Sequence, residues 1–172
     1  LQIIKSLHAL KSSPLQITQP RREEIERKKV AIYVDVPNFW MSCKYIQKVP
    51  PIERIVGRLS RMGEVSKIRS FAFFNHLNDP QPRRLLKRNN FLLLECIETK
   101  NNGRQTDLVD AEMKELVPIL APSADIHVII AVDKDHVRLA NELKGPGREV
   151  YQIYVDEKHG EVILTNNEDN SA

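Results

Sequence analysis

Five stretches of this chain are nearly continuous in apolar residues, and a helical or turn segment separates each from the next. They are Val30–Val36, Val65–Phe74, Phe91–Ile97, Ile126–Val132 and Val150–Val155. A strand with one wet face alternates apolar and polar residues, whereas a strand covered on both faces is apolar throughout. Between the runs, Ile52, Ile55, Val56, Leu59 and Met62 fall at helical intervals, with Gly63 placed to end that helix. Val109, Met113, Leu116, Val117 and Leu120 form a second stripe in a helix expected from about Thr106, where Pro118 predicts a kink or early stop. Arg83–Arg88 reads as a short basic helix, His136–Leu143 as another, and Gly145-Pro146-Gly147 as a turn. Buried strands alternating with helices predict an α/β fold, a parallel sheet flanked by helices on both faces.

At 172 residues the chain suits one domain with a substantial core. No apolar run approaches the roughly 20 residues of a membrane span, which excludes an integral helical membrane protein. The net charge of +3 permits nucleic acid as a partner without demanding it. Cys43 and Cys96 lie far apart with no CxxC spacing. That excludes a zinc knuckle or disulfide scaffold, reads both thiols as small buried hydrophobes and fits a reducing compartment. Residues 1–28 differ from the rest: Ile4, Leu7 and Leu10 recur at helical spacing beside Lys5 and Lys11, no acid precedes Glu23, and Pro14 and Pro20 interrupt any helix. They read as a helical or partly disordered arm, suited to contacting a second copy or a protein partner. The domain is expected over 29–165 and a polar tail over 166–172. The cytoplasm is the expected compartment, or the mitochondrion if residues 1–22 are a transit remnant.

In an open parallel sheet, ligands bind beyond the carboxyl ends of the strands. Asp35 closes the first apolar run, Asp133 and Asp135 follow the fourth, and Asp107 and Asp110 open the helix after the third. Topology therefore directs these five carboxylates to one rim. Carboxylates at close range repel one another unless a cation lies between them, and Mg²⁺ or Mn²⁺ with oxygen ligands is the usual solution. Such an ion suits chemistry on a phosphodiester. Asp107 and Asp110 occupy neighbouring turns, with Asp110 nearer the apolar stripe and so expected to point more towards the sheet. Asp107 equally suits a helix N-terminus on dipole grounds, and Asp133 and Asp135 equally suit capping of the next helix. Asp35 is harder to explain structurally, because an acid closing a buried strand needs a partner. Asn38 reads either as a group for phosphate or a metal-bound water, or as a turn residue after Pro37.

Arg83, Arg84, Lys87 and Arg88 cluster on the short basic helix, and Lys100 and Arg104 precede the acidic rim. Clusters of this kind hold phosphate backbones, or form a solvated helix face. Trp40 reads as a core anchor or as a platform for a base. His76 and His136 have acid–base chemistry available, but no spacing singles either out. No GxxxxGK[ST] or GxGxxG loop occurs, which argues against a nucleotide-binding or phosphotransfer protein.

Three segments carry a family resemblance. Val-Asp-Val-Pro-Asn (34–38) resembles the first-strand signature of NYN domains, Gly-Arg-Gln-Thr-Asp-Leu-Val-Asp (103–110) their central motif, and Ile-Ile-Ala-Val-Asp-Lys-Asp-His (129–136) their Ser-Gly-Asp-Ser-Asp-Phe segment. Gly147-Arg148-Glu149-Val150 is similar to the turn into the family's next strand, and the likeness looks closest to the LabA-like branch. The resemblance implies a PIN-like fold and a divalent-metal ribonuclease acting on RNA, with single strands the expected substrate. Carried over by motif, the metal-site residues are Asp35, Asp107, Asp133 and Asp135, with Asn38 as polar neighbour and Arg104 where the family often has Lys. Asp110 joins Asp35, Asp107 and Asp133 as an expected metal ligand by its place on the helix. The chain departs from the family at Ala131-Val132, which replace Ser-Gly, at Lys134, which replaces Ser, and at His136, which replaces Phe. These departures keep open an alternative, a catalytically weak NYN fold that binds RNA or a protein.

Overall fold

A computed structural model of the protein describes residues 27–62, 64–75, 80–96, 108–131 and 135–166. The expectations for the arm, Gly63, His76, Lys100, Arg104, Thr106, Asp107, Asp133, Lys134 and residues 167–172 fall outside these. The described residues form a six-stranded sheet: β1 (Lys28–Asp35), β2 (Val65–Phe74), β3 (Phe91–Glu95), β4 (Ile126–Ile130), β5 (Glu149–Asp156) and β6 (Glu161–Asn166). Five helices connect them: α1 (Val36–Tyr45), α2 (Ile52–Ser60), α3 (Pro80–Arg88), α4 (Leu108–Leu120) and α5 (Asp135–Leu143).

The strand order is β3-β2-β1-β4-β5-β6, with every pairing parallel except β5–β6. The chain builds outward from β1 in one direction through β2 and β3, then returns to β1's other side with β4 and β5. Right-handed crossovers place the two sets of helices on opposite faces. Val30, Ile32 and Val34 of β1 pack with Phe39, Cys43, Ile52 and Leu86 from α1, α2 and α3. Ala31 and Tyr33 pack on the other face with Val109, Met113 and Val117 of α4 and Leu139 and Ala140 of α5. The expected two-faced burial follows, and β4 is buried at all five positions. Among the described residues, no helix is long and apolar enough to cross a membrane.

Two elements depart from the periodicity reading. Residues 36–45, to which the sequence assigned no helix, form α1 directly after β1. Pro37 sits in the first turn, where its missing N–H costs nothing, and Asp35 caps the helix. The edge strand β6 pairs antiparallel with β5 through a hairpin in which Asp156 accepts hydrogen bonds from the Lys158 and His159 backbone N–H groups, at 3.0 and 3.2 Å. Gly160, with φ of 64°, completes that turn. Its apolar run is short, Val162-Ile163-Leu164, and Leu164 is exposed. Pro118 does not stop α4, which continues to Leu120.

Both thiols are buried, and burial pushes the Cys43 thiol up to about 11. Thiolate is the reactive form, so the folded protein is expected to resist a chromogenic thiol reagent at neutral pH. Two equivalents should react once the chain is unfolded. Rapid reaction of folded protein would contradict this packing.

The second core holds a polar pair. Tyr33 Oη lies 3.0 Å from His127 Nδ1, and the two rings stack at 5.9 Å, while Phe71 stacks on Tyr33 at 5.6 Å. Burial lowers the His127 pKa, and Arg148 lowers it further, against smaller opposing contributions from the Ala124 backbone and Asp125. The neutral imidazole is therefore native. The unfolded chain takes up a proton near the ordinary value of 6.5 while the folded chain resists it. This contribution is complete above that value and is lost as pH falls from it towards the depressed folded value, at up to about 1.4 kcal/mol per pH unit. Melting curves between neutral and mildly acid pH should show this loss, and His127→Gln should flatten it. His159, raised by Asp156, acts in the opposite sense but is exposed and screened.

Candidate active site

The site lies where strand order reverses, between β1 and β4, at the carboxyl ends of the strands. Such crevices are where open α/β sheets bind ligands. Asp35, the last residue of β1, is fully buried. Its Oδ1 accepts from the Asn38 backbone N–H at 3.3 Å, and its Oδ2 accepts from Asn38 Nδ2 at 3.0 Å. The strand's end thus becomes the cap of α1, and the positive end of that helix helps to hold a carboxylate out of water.

Two further helices open onto Asp35. Asp110, in the first turn of α4, offers one oxygen to Lys114 Nζ at 2.8 Å and turns the other towards His136. His136, in the first turn of α5, is fully buried. Its Nε2 lies 3.4 Å from Asp35 Oδ2 and 3.6 Å from Asp110 Oδ1. Among the described residues, neither ring nitrogen of His136 has a hydrogen-bond partner. An imidazole buried without partners is costly, and this one is aimed between two carboxylates.

Of the residues expected from sequence, Asp35, Asn38 and Asp110 come together, with Asp110 directed inwards as its position on the stripe implied. Asp135 opens α5, and Asp107 and Asp133 lie outside the described residues. His136 was the residue least marked by spacing, yet it touches both acids. No sequence spacing marks its direction; it stands where the resembled family has Phe.

The donor chemistry suits a hard cation in part. Two carboxylates, one fully buried, face each other across an imidazole with open nitrogens. Among the described residues, no group of three or more His, Cys, Asp or Glu is arranged to hold a metal.

The basic helix α3 divides. Arg83 lies over the Phe74 ring at 4.2 Å and pairs with Glu95 at 3.2 Å, while Arg88 pairs with Glu53 at 2.6 Å. Arg84 and Lys87 are exposed. Trp40 is half-buried, set edge-on to Phe39 at 6.0 Å.

A protein of unknown function from Vibrio parahaemolyticus has a similar crystal structure, with a TM-score of 0.55 and 20% identity over 73% of this chain and 80% of that one. At that identity the likeness speaks for the fold alone. None of the curated proteins matches the chain. The family model for the NYN domain matches residues 29–171, spanning every described strand and helix except the first residue of β1. The chain therefore belongs to the NYN domain family, within the PIN-like nuclease superfamily.

Proposed function

We propose that the protein is a divalent-metal-dependent ribonuclease that cleaves RNA at the Asp35 rim. The observation that carries this reading is a fully buried carboxylate at the β1–β4 reversal, beside Asp110, in a chain of a nuclease family. Asp35, Asp107, Asp110 and Asp133 are the residues that would hold Mg²⁺ or Mn²⁺, with Asp135 adjoining them. A divalent ion so held polarises a phosphodiester and makes water a stronger nucleophile. The chain's own contribution is positioning. Asn38 holds Asp35 through two hydrogen bonds, and the α1 N-terminus favours its charge. Lys114 restrains one oxygen of Asp110 and leaves the other facing the site. Arg84, Lys87, Arg88, Lys100 and Arg104 are proposed to attract the RNA backbone. The test is cleavage of single-stranded RNA with Mg²⁺ or Mn²⁺ and with EDTA. Cleavage that survives EDTA would refute metal dependence.

A second reading is supported by His136, whose ring occupies the space between the two carboxylates. On that reading the protein is a catalytically weak NYN module that binds RNA. Salt-sensitive RNA binding without turnover would favour it, and robust metal-dependent turnover would exclude it.

A further inference from the structure

We propose that the cleft between α1 and α3 is a track for single-stranded RNA leading away from the Asp35 rim. This deepens the RNA reading above and rests on it. The cleft measures about 1030 Å³, and its lining includes Trp40, Lys44 and Lys48, Asn75, and Arg84 and Arg88. It comes nearest the site in sequence at Pro37, which lines it and stands between Asp35 and Asn38, and at Asn75, which follows β2 just beyond Phe73, the register partner of Asp35.

Its chemistry fits a nucleic-acid single strand on two counts. Among the described residues, four cations line it and no carboxylate does. Arg88 is engaged by Glu53, but among the described residues no carboxylate lies within salt-bridge distance of Lys44, Lys48 or Arg84. The wall also carries an indole. Trp40 and Lys44 are four residues apart on α1, as Arg84 and Arg88 are on α3, so each pair shares a helix face. Cations beside an accessible edge of an aromatic ring, here the half-buried Trp40, are what sequence-tolerant single-strand binding uses, the cations for phosphates and the ring for a base. Neither Lys44 nor Lys48 stands out in the sequence. They are brought to Arg84 only because α1 and α3 lie on the same face of the sheet. An acidic peptide would satisfy the cations, but it would make no use of the indole or of the continuity with the rim.

The experiment is fluorescence anisotropy with a short labelled single-stranded RNA, in EDTA so that no cleavage intervenes. Native protein is compared with Lys44→Ala/Lys48→Ala, with Arg84→Ala, and with Lys67→Glu in the basic patch formed by Lys29, Lys67 and Arg69 at the opposite edge of the sheet. All these substitutions lie at exposed positions, and circular dichroism checks folding. The lysine pair should weaken binding about tenfold and reduce the salt slope by about 0.7 for each phosphate that is no longer neutralised. Arg84→Ala should act in the same direction, and Lys67→Glu should change little. Equal binding by all variants, or a weakening confined to Lys67→Glu, would overturn the track. So would displacement of the RNA by a polyglutamate peptide at equal concentration. Absence of binding by native protein would overturn both the track and the RNA reading. Cleft-dependent binding without cleavage when metal is restored would leave the track standing and remove only the nuclease reading.

Discussion

Replacing Asp35 by Asn is expected to abolish metal-dependent RNA cleavage while leaving the protein folded. Asp35 does two jobs at once, and the choice of substitution separates them. As the cap of α1 it accepts from the Asn38 backbone N–H, and Asn is as good a cap as Asp. The Asn side chain also retains an oxygen for one of these hydrogen bonds, so little buried polarity is left unsatisfied. Its negative charge is removed, and with it the group best placed to hold a cation. Loss of a group supporting a metal ligand already lowers function about 10–100-fold, so loss of a ligand should exceed about 100-fold. The measurement is the cleavage rate of single-stranded RNA alongside a melting curve. Asp35→Ala is the less informative variant, because it also removes the cap, at about 1–2 kcal/mol, and strands the Asn38 amide. Unchanged cleavage by folded Asp35→Asn would end the assignment of the site.

The largest stability effect is expected at Phe73→Ala. Phe73 is fully buried in β2, opposite Asp35 on one side and Leu94 on the other, within the core that α4 and α5 cover. Two neighbouring strands hydrogen-bonded to β2 cannot move into the space the ring leaves. Transfer and cavity contributions together come to about 3–5 kcal/mol. Against a total stability of about 5–15 kcal/mol, that should lower Tm by roughly 10–15 °C. Calorimetry or thermal circular dichroism measures it. A shift of only a few degrees would mean that the helices collapse onto the gap, which close packing against a central strand opposes.

The strands marked by long apolar or β-branched runs were the legible ones. β2 runs over the predicted Val65–Phe74, and β1, β3, β4 and β5 lie within two residues of expectation at each end. Elements whose stability comes from a single contact were not. α1 has only a shallow apolar stripe, and its start depends on one capping carboxylate that reads in sequence as a strand's end. β6 depends on a hairpin, and its apolar run, Val162-Ile163-Leu164, is only three residues long. That Asp35 and Asp110 meet at one rim was legible because a parallel sheet delivers strand ends and helix starts to the same edge. His136 and the Trp40–Lys44–Lys48 wall were not, since nothing in their spacing marks a direction. Arg83 is the converse case, a residue of a basic run that packs on Phe74 and Glu95 instead of facing the cleft with Arg84.

The sequence by itself determined the layers, the five apolar strands and most of the helices between them, and the edge to which Asp35 and Asp110 are delivered, because apolar continuity and chain connectivity are local properties that survive any arrangement of side chains. Only the tertiary structure decided which charges meet. It brought His136 between Asp35 and Asp110 and set Lys44 and Lys48 across from Arg84. Those pairings depend on how helices distant in sequence settle on a common sheet face, and a few ångströms of packing separate a neighbour from a stranger.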